Sequence, residues 1–139
     1  MGSTLVLGYD GSDCAKAALH SAVEAAQAFG DRIVVAFGSG VYPIGEDSDH
    51  QRLLHEKGSG LAEEALSAIR AAGVSDCEAA VVDARPSEAL LKVAADRGAR
   101  MIVVGTHGEH PLAGAVLGSV PHKLLHLSDV PVLVVPAGA

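Results

Sequence analysis

Five short runs of apolar, largely β-branched residues punctuate the chain, and the sequence between each pair has the pattern of a helix. The runs are Thr4 to Gly8, Ile33 to Phe37, Cys77 to Val82, Met101 to Val104 and Val130 to Val135. A sheet with one wet face would alternate apolar with polar residues. Near-continuous runs of this length instead predict strands covered on both faces, as in parallel sheets. Pro131 is tolerable at the start of the last run, because a first or edge position can lack an N–H.

The intervening segments carry helical spacing and its punctuation. Ser12 or Asp13 caps a helix to about Phe29, with Ala15, Leu19, Ala22, Ala26 and Phe29 on one stripe, and Gly30-Asp31 ends it. A breaker-rich loop from Gly38 to Gly45 precedes a helical pattern from Asp47 to Ala72. Gly58 and Gly60 weaken the middle of that pattern, predicting either two pieces or one helix with a loose turn. Gly73 is its stop. Pro86 and Ser87 open a third helix to about Arg97, before Gly98. A fourth runs from about Val120 to Leu127, with Ser119 as its cap and Pro121 in its first turn.

This β-α-β-α-β-α-β-α-β order predicts a single α/β domain over residues 1–139. Its expected form is a doubly wound, five-stranded parallel sheet with strand order 3-2-1-4-5 and helices on both faces. Aromatic residues are only 3% of the chain against 49% hydrophobic. The core must therefore rest on Ala, Val, Leu and Ile.

Ligands of such sheets bind beyond the carboxyl ends of the strands, where strand order reverses. Here that point lies between strands one and four, and the sequence after strand four is shaped for it. Gly105 and Gly108 are separated by two residues, and nine more lead to Gly118-Ser119. Glycines at a strand end let a ligand approach the amides closely. The following helix start offers free amides and a positive dipole end, a natural site for phosphate.

The pattern G-x2-G-x9-G-[ST] resembles the nucleotide-binding motif of the universal stress protein family. The resemblance extends to the opening Val6-Leu7-Gly8-Tyr9-Asp10-Gly11-Ser12 and to the closing segment from Gly118 through Val130-Pro131-Val132-Leu133-Val134-Val135-Pro136. It implies a fold like that of the adenine nucleotide alpha-hydrolases and a dimeric stress-response module that binds ATP. By position, it places Asp10 by the nucleoside, with Gly8 and Tyr9 beside it, and Phe37 and Gly38 over the base. Val104, Gly105 and Gly108 fall on the ribose and phosphate side, and Gly118, Ser119 and Val120 on the phosphate clamp; Thr106 and His107, between the first two glycines, are further candidate contacts, His107 because an imidazole can donate to phosphate, although a solvated loop position suits it equally. Two departures stand out. Family members often have an acidic residue just before strand four, where this chain has Arg100, and the loop from Glu109 to Leu117 has no Lys or Arg.

Seventeen acidic residues against ten basic ones give a formal charge of −7, which argues against general nucleic-acid binding. A triphosphate in so acidic a chain is expected as its Mg²⁺ or Mn²⁺ complex. Cys14 and Cys77, the only cysteines, fit neither a disulfide framework nor a zinc site and suggest a reducing, cytoplasmic setting. Cys14 has the place of a small residue on the first helix. His122 and His126 share a helix face without an acidic partner, the pattern of solvated residues rather than of a metal site. There is no basic leader and no run of 18 apolar residues, so neither secretion nor a membrane span is expected.

No nucleophile–base pair, G-x-S-x-G elbow or P-loop lysine stands in the sequence, and no catalytic residue is assigned. Two functions compete. One is a nucleotide-binding regulatory module. The other is a slow metal-dependent ATPase, or another nucleotide-handling enzyme, on the same fold. A phospho-accepting receiver domain is disfavoured because Asp10 stands alone and Asp83 lacks a matching late Lys. Finally, Val130 to Val135 would lie at the sheet edge without charge, which predicts a homodimer paired through strand five.

Overall fold

The runs of the three central strands are buried on both faces, and those of the two outer strands are partly buried. The computed structural model describes residues 2–38, 48–107 and 117–137; of residues 48–57 only the helical backbone is described. In chain order the elements are β1 (Thr4–Gly8), α1 (Asp13–Phe29), β2 (Arg32–Gly38), α2 (Ser48–Ala71), β3 (Cys77–Val82), α3 (Pro86–Arg97), β4 (Met101–Gly105), α4 (Ser119–Leu127) and β5 (Val132–Val135). All neighbouring strands are parallel, in the order β3-β2-β1-β4-β5.

Side chains alternate strictly across the sheet. Leu5, Leu7, Ile33, Val35, Phe37 and Val103 pack on one face, under α1 and α2. Val6, Val34, Ala36, Ile102 and Val104 pack on the other, under α3 and α4. Leu5, Leu7, Ile33 and Ile102 are fully buried. Each such side chain contributes about 1.5–3 kcal/mol by leaving water. The helices meet the sheet largely through Ala15, Ala18, Ala22 and Ala26 of α1 and Ala89 and Ala94 of α3. Small side chains there let helix and sheet approach closely.

Three local expectations differ from what is found. α2 continues unbroken through Gly58 and Gly60. Its buried Ala62, Ala65 and Ile69 anchor the helix, and packing outweighs the roughly 1 kcal/mol that a helical glycine costs. β5 is shorter than the apolar run suggested. The Ser128 hydroxyl donates to the Val130 carbonyl at 2.7 Å and accepts from its amide at 3.1 Å, holding that residue in a turn. Pro131 contributes only its carbonyl, which accepts from the Ile102 amide at 3.0 Å. The third difference, at the start of α4, bears on the site.

At the amino end of the sheet, Arg100 has an internal role. Asp31 is buried and accepts from the Ser3 amide at 2.6 Å and from Arg100 Nε and Nη2 at 2.6 and 3.2 Å. The guanidinium lies 4.4 Å from the centre of the Phe29 ring. The Arg100 hydrogen bonds, above all, hold the Asp31 carboxyl below its ordinary range. Among the described residues, no helix is long and apolar enough to cross a membrane.

Candidate functional site

The site is built from three chain segments at the carboxyl end of the sheet. The first leaves β1 at Gly8. The Asp10 carboxylate turns back on its own loop, with Oδ1 accepting from the Ser12 amide at 3.0 Å. Gly11 takes a positive φ of 83°, which a residue with a Cβ rarely adopts. Ser12, rather than Asp13, caps α1, its hydroxyl accepting from the Ala15 amide at 3.2 Å. Asp10 thus makes the turn, while Oδ2 has no protein partner among the described residues. Tyr9 points into the core. Burial, and then the negative charge of the nearby Glu64, push its phenol up to about 12, so it stays protonated.

The second segment leaves β4. Val104 is buried, and Gly105 sits directly under the start of α1. A Cβ on Gly105 would lie 2.6 Å from Cys14 Cβ and 2.7 Å from the Cys14 carbonyl carbon. The Thr106 amide donates to the Val135 carbonyl at 3.0 Å, tying the turn to β5.

The third segment is the start of α4. The Gly118 amide donates to the Thr106 carbonyl at 2.8 Å, which pins this helix end beside the β4 turn. Ser119 is not the cap, as the sequence suggested; Gly118 is, and Ser119 is the first helical residue, with its side chain exposed. Tight contact with the turn explains the shift, since a Cβ at Gly118 would stand 3.3 Å from both His107 Cα and Thr106 O. A glycine cap supplies no side-chain acceptor. No acceptor among the described residues takes the Ser119 or Val120 amide, and Pro121 has none to give. Two orphan amides and the positive helix end therefore face out beside the ends of β1 and β4.

Gly8, Asp10, Gly105, Thr106, His107, Gly118 and Ser119 are thus gathered at one end of the sheet. Tyr9, Phe37 and Val104 are buried in the two core layers, and Val120 is half-buried against α3 and α4. Gly38 has a packing role, since its Cβ would come within 2.5 Å of the Ala84 carbonyl just before α3. Gly108 lies outside the described residues, as do residues 109–116. No group of three or more metal-ligating side chains occurs among the described residues.

One feature of this end of the sheet escaped sequence reasoning. Cys14 Sγ lies 3.3 Å from Thr106 Oγ1 and 3.7 Å from His107 Nδ1, and those two atoms are 3.0 Å apart. The thiol and the imidazole are 93 residues apart in sequence. Only the adjacency of β1 and β4 brings them together, so the order 3-2-1-4-5 was the one available signal.

The Universal stress protein family model matches residues 1–136 of the chain. A universal stress protein of Thermus aquaticus is 34% identical, across 97% of this chain and 99% of the relative. Among solved structures, a universal stress protein in complex with cAMP is 31% identical and superposes with a TM-score of 0.77, covering 98% of both chains. The universal stress protein from Archaeoglobus fulgidus in complex with dAMP is 22% identical with a TM-score of 0.72, across 97% of this chain and 98% of that one, and shows the fold.

Proposed function

The chain belongs to the universal stress protein family, and on that premise we propose that it is a regulatory module that binds ATP between the ends of β1 and β4. The observation that carries this reading is the start of α4. Among the described residues its Ser119 and Val120 amides lack acceptors, and the Gly118–Thr106 hydrogen bond pins them beside the β4 turn. A phosphate is the natural occupant of such a place, since it accepts from both amides and favours the positive helix end. The Ser119 hydroxyl is exposed and adds a third donor. At the end of β1, Asp10 has one carboxylate oxygen without a partner among the described residues, which suits a ribose or base donor. The similar universal stress protein that holds cAMP supports an adenine nucleotide as the class of ligand.

ATP enters as its Mg²⁺ or Mn²⁺ complex. Such a metal bridges phosphate oxygens and keeps several waters, so it would need few ligands from the protein. The protein works as a cytoplasmic homodimer paired along β5. That strand is the sheet edge and leaves Leu133 40% exposed, with no charged residue in the strand to blunt it.

The test is to denature the purified protein and identify released nucleotide by chromatography, then to titrate ATP with and without a chelator. The expected results are a resident adenine nucleotide and weaker ATP binding in chelator. Neither resident nucleotide nor measurable ATP binding in the presence of Mg²⁺ would overturn the reading. Steady release of ADP would make the protein an ATPase rather than a module.

A further inference from the structure

The triangle at the start of α1 has a chemistry that nucleotide binding does not use. Cys14 is the second residue of α1, in the turn where free amides and the helix dipole favour an anion. Thr106 and His107 bring a hydroxyl and a ring nitrogen to its sulfur from the β4 turn. His107 is the titratable side chain that faces the thiol from these elements. The other thiol, Cys77, is equally shielded, at 8% exposure, but lies in the apolar layer under α1 and α2.

We propose that Cys14, Thr106 and His107 form a peroxide-reactive thiol site, with Cys14 as nucleophile. The site stands whether or not the neighbouring crevice holds a nucleotide. His107 Nδ1 takes the thiol proton, and Thr106 Oγ donates to the resulting thiolate. The sulfur attacks one oxygen of hydrogen peroxide; the S–O bond forms as the O–O bond breaks. The departing hydroxide recovers the proton from His107 and leaves as water. Sulfur is oxidised by two electrons to sulfenic acid, and the peroxide is reduced. Cys77 begins β3 at the amino end of the sheet, whereas Cys14 lies against Gly105 at the carboxyl end of β4. One strand length, roughly 15 Å, separates the two ends, well beyond the reach of a disulfide. The product is therefore sulfenic acid, which an external thiol can reduce.

The hydrogen bond from Thr106, then that from His107, brings the thiol down to about 7. At pH 7 this raises the thiolate fraction about fiftyfold over a thiol that titrates at 9.0, and the accompanying loss of nucleophilicity takes back about tenfold. The net expectation is about a fivefold rate advantage over a thiol of equal exposure.

The experiment treats the full chain with limiting hydrogen peroxide, traps sulfenic acid with dimedone, and measures labelling at each cysteine by peptide mass spectrometry. A parallel iodoacetamide time course gives the pH profile of each thiol. Cys14 should label at least about fivefold faster than Cys77, with an alkylation midpoint near pH 7. Thr106→Val and His107→Asn should each move that midpoint upward. Labelling of Cys14 no faster than Cys77 would overturn the proposal, as would a Cys14 midpoint that neither substitution moves. Should either variant fail to fold, the comparison of the two thiols in the unaltered protein still decides.

Discussion

Replacing Gly105 with alanine probes the contact on which the whole end of the sheet depends. Gly105 has no positive φ, so space alone sets the cost. The new Cβ would lie 2.6 Å from Cys14 Cβ, 2.7 Å from Cys14 C and 2.9 Å from Cys14 O. Carbon atoms pack at about 3.5–4.0 Å, so the closest pair is short by about 1 Å. Two of the three atoms are main chain, and no rotamer change relieves them. The first turn of α1 must instead back away from β4. Overpacking of this kind costs ~1–3 kcal/mol, and the rigid neighbours place this case at the upper end, ~3 kcal/mol. In a domain of this size that lowers the melting temperature by roughly 10 °C. Urea unfolding followed by circular dichroism measures it, as a lower midpoint with an unchanged slope. A loss under about 0.5 kcal/mol would refute the reasoning, because it would mean that the helix and strand are not in rigid contact. The variant should also open the Cys14–Thr106–His107 triangle and return the thiol towards its ordinary range.

Gly60→Ala should do the reverse: the position is helical with nothing within 4 Å of an added Cβ, so unfolding should show a gain of about 0.5–1 kcal/mol. Arg100→Leu leaves the buried Asp31 carboxylate with the Ser3 amide but no counter-charge, and should lower the unfolding midpoint at pH 7. The folded Asp31 carboxyl is depressed, so its contribution is present above the unfolded value of about 3.9 and is lost as pH falls below it. The gap between wild type and Arg100→Leu should therefore narrow from pH 7 to pH 3, and an equal gap at both would count against the ion pair. Leu133→Lys puts like charges across the proposed two-fold axis, so light scattering on dilution should show dissociation at a higher concentration than for the unaltered chain.

The strands and their order were legible because burial on both faces writes itself directly into sequence. Leu5, Val6 and Leu7 are consecutive, apolar and completely buried, and no other element type suits so short a run. Helix ends were legible where a local device sets them: Ser12 caps α1, and Gly30 and Gly98 close α1 and α3 with positive φ. Expectations failed where distant contacts decide. Ser119 has the residue type of a cap, yet the turn after β4 requires a glycine at 118, and the helix starts one residue earlier than its side chains suggest. α2 holds through two glycines because its buried face outweighs local propensity. Several glycines of the nucleotide motif also have packing reasons that spacing cannot reveal. Gly105 makes room for Cys14, and Gly8 for Leu90 and Val104. The Cys14–His107 pair was invisible for a related reason: its members share no local pattern and meet only through the sheet.

The most direct test of nucleotide binding at the start of α4 is a calorimetric titration of ATP and Mg²⁺ into the unaltered protein and into Ser119→Asp. Ser119 is exposed and is the first residue of the helix, where a carboxylate favours the dipole and leaves the fold intact. The same carboxylate stands where a phosphate must lie, and repulsion there should cost on the order of several kcal/mol of binding. ATP should bind the unaltered chain and fail to bind a Ser119→Asp variant whose melting temperature is undiminished. Equal ATP affinity in the two proteins would contradict it, placing the phosphates away from α4.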